Sequence, residues 1–98
     1  MRLFLVVHGF VQGVGYRHLV YSAAKRNGIA GMVRNAEDGS VEILAEGKTE
    51  DLQAFEKEIN TRSEYGPQVL NIERFEERNP KFPKAIREYR EFVIEKGE

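Results

Sequence analysis

Near the start of the chain lies Gln12-Gly13-Val14-Gly15-Tyr16-Arg17, a run whose residue types suit the binding of a small anion. Glycines where a strand hands over to a helix let successive backbone N–H groups converge, and the helix end adds partial positive charge. Arg17 falls where that helix would begin, so its guanidinium can donate bidentate, charge-assisted bonds to the oxygens that the amides hold. Taken alone, Gly-x-Gly is ordinary chain geometry, and an arginine at a helix start is an ordinary surface residue. The charge distribution sets this pair apart. Residues 1–36 contain five bases (Arg2, Arg17, Lys25, Arg26, Arg34) and no acid, whereas residues 37–98 contain ten bases and sixteen acids. A site for a small anion, a phosphate group above all, belongs in the first third of the chain.

Other chemistry is poorly supplied. His8 and His18 have no paired carboxylate or cysteine with metal-ligand spacing, and they are assigned surface or packing roles. Ser22 and Ser40 lack a His/Asp partnership, which disfavours a serine hydrolase. The chain has no cysteine, so disulfides, thiolate nucleophiles and cysteine-ligated metals are excluded together. Asp38 reads as a turn residue, Arg34 and Lys25 as solvated bases, and Tyr16 as packing at the mouth of the loop.

The elements that must position this loop follow from periodicity. Residues 3–10 alternate around Leu3, Leu5 and Val7 and read as a strand. After the glycines, Tyr16, Val20, Ala23 and Ala24 recur at helical spacing, and Gly28 stands at the helix C-terminus. Residues 29–35 and 40–46 are β-like runs joined through Asp38-Gly39, a hairpin signal. Thr49 offers an N-cap oxygen to a second helix, Glu50 and Asp51 suit its positive end, and Leu52, Phe55 and Ile59 form its buried stripe. Gly66-Pro67 ends that helix. Residues 69–77 read as a fourth strand and 89–95 as a last one, across a linker with Pro80 and Pro83 in which residues 84–88 could form a helical turn. The order βαββαβ with an extra C-terminal strand predicts an α+β, ferredoxin-like split βαβ sandwich, an antiparallel sheet carrying two helices on one face.

Bulk properties agree with one such unit. Ninety-eight residues without an internal repeat or linker predict a single domain over residues 1–98. Hydrophobic residues make up 41% and charged residues 32%, which is a globular balance rather than a disordered one. A net charge of −1 argues against broad attraction to nucleic acid or anionic membrane. No apolar run approaches the roughly 20 residues of a membrane span. A cytoplasmic location is expected, and a monomer is the working assumption.

At the residue level the chain resembles the acylphosphatase family. Its first signature, Gly-x-Val-Gln-Gly-Val-x-(Phe or Tyr)-Arg, stands here as Gly9-Phe10-Val11-Gln12-Gly13-Val14-Gly15-Tyr16-Arg17. The second stands as Gly31-Met32-Val33-Arg34-Asn35-Ala36-Glu37-Asp38-Gly39-Ser40-Val41-Glu42, with Gly47 following and only Met32 replacing an aromatic. The resemblance continues through Gly66-Pro67 to Phe92-Val93-Ile94; residues 79–89 are longer and more charged than the family pattern. Met32, flexible and apolar, is expected to fill the aromatic's place in the core.

The resemblance implies hydrolysis of the carboxyl–phosphate bond of acyl phosphates, without metal or other cofactor. Arg17 and the loop amides, from Gln12 through Gly13, Val14, Gly15 and Tyr16, would bind the phosphate, and Asn35 would hydrogen-bond the nucleophilic water. Asparagine suits that task because it orients water without titrating near neutral pH. An acyl phosphate already has a good carboxylate leaving group, so no strong general base is needed, and by the resemblance the phosphate itself receives the water's proton. Two other readings compete. RNA-recognition domains share the element order but stack bases on sheet aromatics, and residues 41–46 offer no aromatic and two acids. A phosphate-binding relative without turnover, of the kind found within larger maturation proteins, would keep the same cradle.

Overall fold

The computed structural model describes residues 1–84 and 86–96. The chain forms β1 (Arg2–Phe10), α1 (Tyr16–Arg26), β2 (Ala30–Asn35), β3 (Val41–Glu46), α2 (Thr49–Ile59), β4 (Gln68–Glu76) and β5 (Phe92–Ile94). The five strands lie in the order β4-β1-β3-β2-β5. β1 pairs antiparallel with both β3 and β4, and β2 antiparallel with β3, as the split βαβ order predicts. The added strand β5 departs from that rule and runs parallel to β2, with Met32 opposite Val93. It is also shorter than the sequence run, being confined to the apolar Phe92-Val93-Ile94.

Alternation along β1 places Leu3, Leu5 and Val7 on the helix-bearing face, where they are fully buried with Val20, Ala23 and Ala24 of α1 and Leu52, Phe55 and Ile59 of α2. The opposite face carries a smaller apolar cluster of Met32, Leu44 and Phe82, with Phe4, Ile86, Tyr89 and Val93 packed against it. Met32 thus fills a core position, covered by Phe82 from the linker. Lys84 and residues 86–88 carry no helical turn, and Ala85 lies outside the described residues.

Helix ends differ in detail from the sequence reading. α2 stops at Ile59, with Asn60 as its cap, well before Gly66-Pro67. Thr49 is the first residue of α2 and Lys48 its cap, with no side-chain capping bond; Glu50 and Asp51 supply the compensating negative charge. At the end of α1, Asn27 is the cap, its Nδ2 donating to the Ala23 carbonyl at 2.8 Å and to Glu58 at 2.7 Å, and Gly28 follows at φ 66°.

Candidate active site

The turn from β1 into α1 is made by Gly13 at φ 77° and Gly15 at φ 80°. No atom lies within 4 Å of where a Cβ would sit on either, so glycine is required here by the left-handed backbone rather than by crowding. Gly15 is also the N-cap of α1, whose first turn has neither a side-chain cap nor an acidic residue. The N–H groups that begin an α-helix have no intrahelical acceptor, so this loop turns a group of backbone donors and the positive helix end outward.

Arg17 projects from the same first turn, half-buried, and makes no ion pair or hydrogen bond among the described residues. Its neighbours in the acid-free third are mostly committed. Arg2 is paired with Glu77, Arg26 with Glu58 and Arg34 with Glu42, while the Lys25 ammonium lies 5.9 Å from the centre of the Tyr21 ring. The expectation that Arg34 is a surface base therefore acquires a definite partner, and Arg17 is left with its guanidinium donors available.

Asn35 closes β2, opposite the core-facing Val41 on β3. Its Oδ1 is buried and is the one such side-chain atom without a hydrogen-bond partner among the described residues. A buried carbonyl left without a donor costs on the order of 1–3 kcal/mol. The turn after it is rigid. Asp38 accepts from the Ser40 N–H at 2.9 Å and from the Ser40 hydroxyl at 2.6 Å, and the Ala36 N–H donates to the Ser40 carbonyl at 2.9 Å. These bonds, from the hydroxyl first and the N–H second, hold the Asp38 carboxyl below its ordinary range. Asp38 is the turn residue that its type suggests.

The loop and the strand end are joined by Gln12. Its Nε2 donates to the Ala36 carbonyl at 2.8 Å and to the Ser40 carbonyl at 2.9 Å, so both amide hydrogens are committed to the β2–β3 turn. The side chain of Gln12 therefore spans the two signatures. Sequence reasoning had no access to this bridge, which links residues 24 and 28 positions apart. Tyr16 likewise lies beneath the loop rather than at its mouth: it is 1% exposed and its hydroxyl donates to the Ile59 carbonyl at 2.8 Å. Burial pushes that hydroxyl's pKa far above its ordinary value, so it stays protonated and anchors α1 to α2. His8 bonds Glu73 at 2.9 Å on the surface, and His18 is exposed. Among the described residues no three His, Cys, Asp or Glu side chains converge as a metal site.

The chain is similar to known proteins over nearly its whole length. The family described as Acylphosphatase matches residues 3–94. The acylphosphatase of Pseudothermotoga lettingae is 50% identical over 70 residues, 71% of this chain and 74% of that one. The crystal structure of the acylphosphatase from Bacillus subtilis superposes with a TM-score of 0.80 at 35% identity, covering 95% of this chain and 96% of that chain. The probable carbamoyltransferase HypF of Methanocaldococcus jannaschii is 39% identical over all 98 residues, which make up 12% of that protein. The chain belongs to the acylphosphatase family. It is a hydrolase acting on acyl phosphates.

Proposed function

We propose that Arg17 and the backbone N–H groups of residues 12–17 hold the phosphate of an acyl phosphate while Asn35 orients the attacking water. The observation that carries the assignment is the Gln12 bridge, which fastens the strand end bearing Asn35 to the glycine loop. A water donating one hydrogen to the Asn35 amide has a lone pair left for phosphorus, and that amide is carried on a strand end rather than on a mobile loop.

In the reaction the water oxygen bonds to phosphorus as the bond from phosphorus to the carboxyl oxygen breaks. The electron pair leaves with the carboxylate, and the water's surplus proton passes to a phosphate oxygen. Charge on the three equatorial oxygens is met by the guanidinium and the amides, which are already in place before substrate arrives. Among the described residues no group is assigned as a strong base at this point, and an acyl phosphate, with its good leaving group, needs none.

Absence of cysteine fits the proposed cytoplasmic setting, and no helix among the described residues is long and apolar enough to cross a membrane. No nucleic-acid, membrane or cofactor partner is assigned, and the chain is taken to act as a monomer.

The test is phosphate release from benzoyl phosphate in the presence of a metal chelator, with inorganic phosphate added as inhibitor. Turnover that persists under chelation and is inhibited competitively by phosphate is expected; activity restored only by a divalent ion, or a rate indifferent to saturating phosphate, contradicts the assignment. The full-length match to one segment of HypF favours a second reading, a cradle that binds phosphate without hydrolysis. Phosphate binding without turnover of any acyl phosphate is its signature.

A further inference from the structure

The sheet face away from the helices carries its own apolar row. Leu44 pairs with Phe4 on one side and Met32 on the other, and Met32 pairs with Val93, so the row crosses four strands. Phe82 packs directly on it, but the residues that follow do not close the space beside Phe82. Pro83, Ile86 and Tyr89 stand over Phe4, Met32 and Leu44 and enclose a cavity of about 260 Å³. An apolar cavity of about 150 Å³ is large enough to take up benzene, so this one has room for a ring with a short substituent.

Arg34, Arg87 and Glu95 complete the lining. Arg34 lies in the next row of the sheet, opposite Glu42, to which its Nε donates at 2.8 Å; its two terminal nitrogens have no partner among the described residues. Arg87, whose side chain is 74% exposed, reaches Glu95 through one nitrogen at 3.4 Å and lies 5.2 Å from the centre of the Tyr89 ring. The Tyr89 hydroxyl donates at 2.7 Å to the same Glu95 oxygen. Guanidinium N–H donors left over from these bonds therefore outnumber the acceptors, of which Glu95 keeps one oxygen. Small-molecule sites combine an apolar lining with a few placed polar groups, and the guanidinium fork matches a carboxylate.

We propose that this cavity is a ligand site separate from the phosphate loop, and that it takes a small carboxylate with a compact apolar body such as an aromatic ring. The body lies among Met32, Leu44 and Ile86, and the carboxylate meets Arg34 and Arg87. Arg34 is next to Asn35 in the chain, but strand alternation sends the two side chains to opposite faces of the sheet. Occupancy of the cavity and binding of phosphate are therefore independent.

The experiment titrates phenylacetate, and its uncharged counterpart phenylacetamide, into the protein with and without saturating inorganic phosphate, following backbone amide shifts by NMR. Phenylacetate is expected to bind with a Kd on the order of 1 mM or tighter. It should shift the amides of Met32, Leu44, Ile86 and Tyr89, and its affinity should be the same with phosphate present. Phenylacetamide should bind about five-fold more weakly or worse, the worth of one charge-assisted bond. Arg34→Gln should weaken phenylacetate by about five-fold and change phenylacetamide by less than about two-fold. Met32→Trp fills the space and should abolish both; should that variant not fold, Arg34→Gln, at a partly exposed position, still decides the matter. No binding, equal affinity for the acid and the amide, or shifts confined to residues 12–17 that phosphate abolishes would each overturn the proposal.

Discussion

The Gln12 amide donates to the Ala36 carbonyl at 2.8 Å and thereby ties the glycine loop to the residue following Asn35. A second bond from the same nitrogen reaches the Ser40 carbonyl at 2.9 Å. A helix start and a strand end are thus held in register by one side chain. Gln12→Ala removes both donors without touching Arg17 or Asn35. Stability should fall by about 1–2 kcal/mol and kcat by on the order of 10-fold, with phosphate affinity changed less than kcat. Chemical denaturation, phosphate titration and steady-state kinetics on the one variant separate these effects, and an unchanged kcat would show that the bridge does not position the site.

Acid should destabilise the fold through carboxylates that gain partners on folding. The Ser40 hydroxyl and N–H hold Asp38 below its ordinary 3.8, Asn27 and then Arg26 hold Glu58 below 4.5, and Arg2 holds Glu77 below 4.5. A folded-state value below the unfolded one stabilises the protein at pH above the unfolded value, and that contribution disappears as pH falls through the folded value. The melting temperature is therefore expected to be nearly level above about pH 5 and to decline from about pH 4 downward. Asp38→Asn should reduce the slope of that decline. A melting temperature that holds steady or rises on acidification contradicts this account.

Most of the fold was legible in the sequence because its signals are local. Leu3, Leu5 and Val7 alternate, Leu52, Phe55 and Ile59 recur at helical spacing, and Asp38-Gly39 makes the hairpin, so each element announces its own buried face. The expectation for Arg17 and Asn35 rests on the two signatures, which place them at element ends. What the sequence hid is tertiary. The direction of β5 depends on its neighbour β2 rather than on Phe92-Val93-Ile94. The Gln12 bridge and the Tyr16 bond to Ile59 join residues distant in the chain, and neither side chain's type reveals which way it turns. The linker after β4 has no period at all, so its docking over Met32 and Leu44 through Phe82 could not be read from spacing.

That linker provides a test confined to stability. Phe82 is 6% exposed, packs with Met32 and Leu44, and lies 5.5 Å below the Arg2 guanidinium. Beside it Pro83, Ile86 and Tyr89 roof a cavity of about 260 Å³ above Phe4, Met32 and Leu44. Phe82→Ala should cost about 3 kcal/mol in unfolding free energy. Because the cluster lies on the sheet face opposite the core side to which Asn35 is paired, kcat of the folded variant should stay within about two-fold of the parent. Loss of activity without loss of stability would place this face in the reaction.

The division of labour between Arg17 and Asn35 is the central claim, and the two residues should fail differently when removed. Arg17→Ala deletes a charged clamp felt in both ground and transition states, so phosphate affinity and turnover should fall together, the rate by on the order of 100-fold or more. Arg17→Lys should recover little of it, since a point charge does not reproduce the guanidinium fork. Asn35→Ala removes a group that acts once the water attacks, and it should leave phosphate binding within about two-fold while kcat falls by a similar order. The most direct measurement is therefore phosphate titration by calorimetry on folded Asn35→Ala, paired with its kcat on benzoyl phosphate. Parent-like phosphate affinity with a rate reduced on the order of 100-fold is the predicted result; an Asn35→Ala protein that turns over at the parent's rate would contradict it.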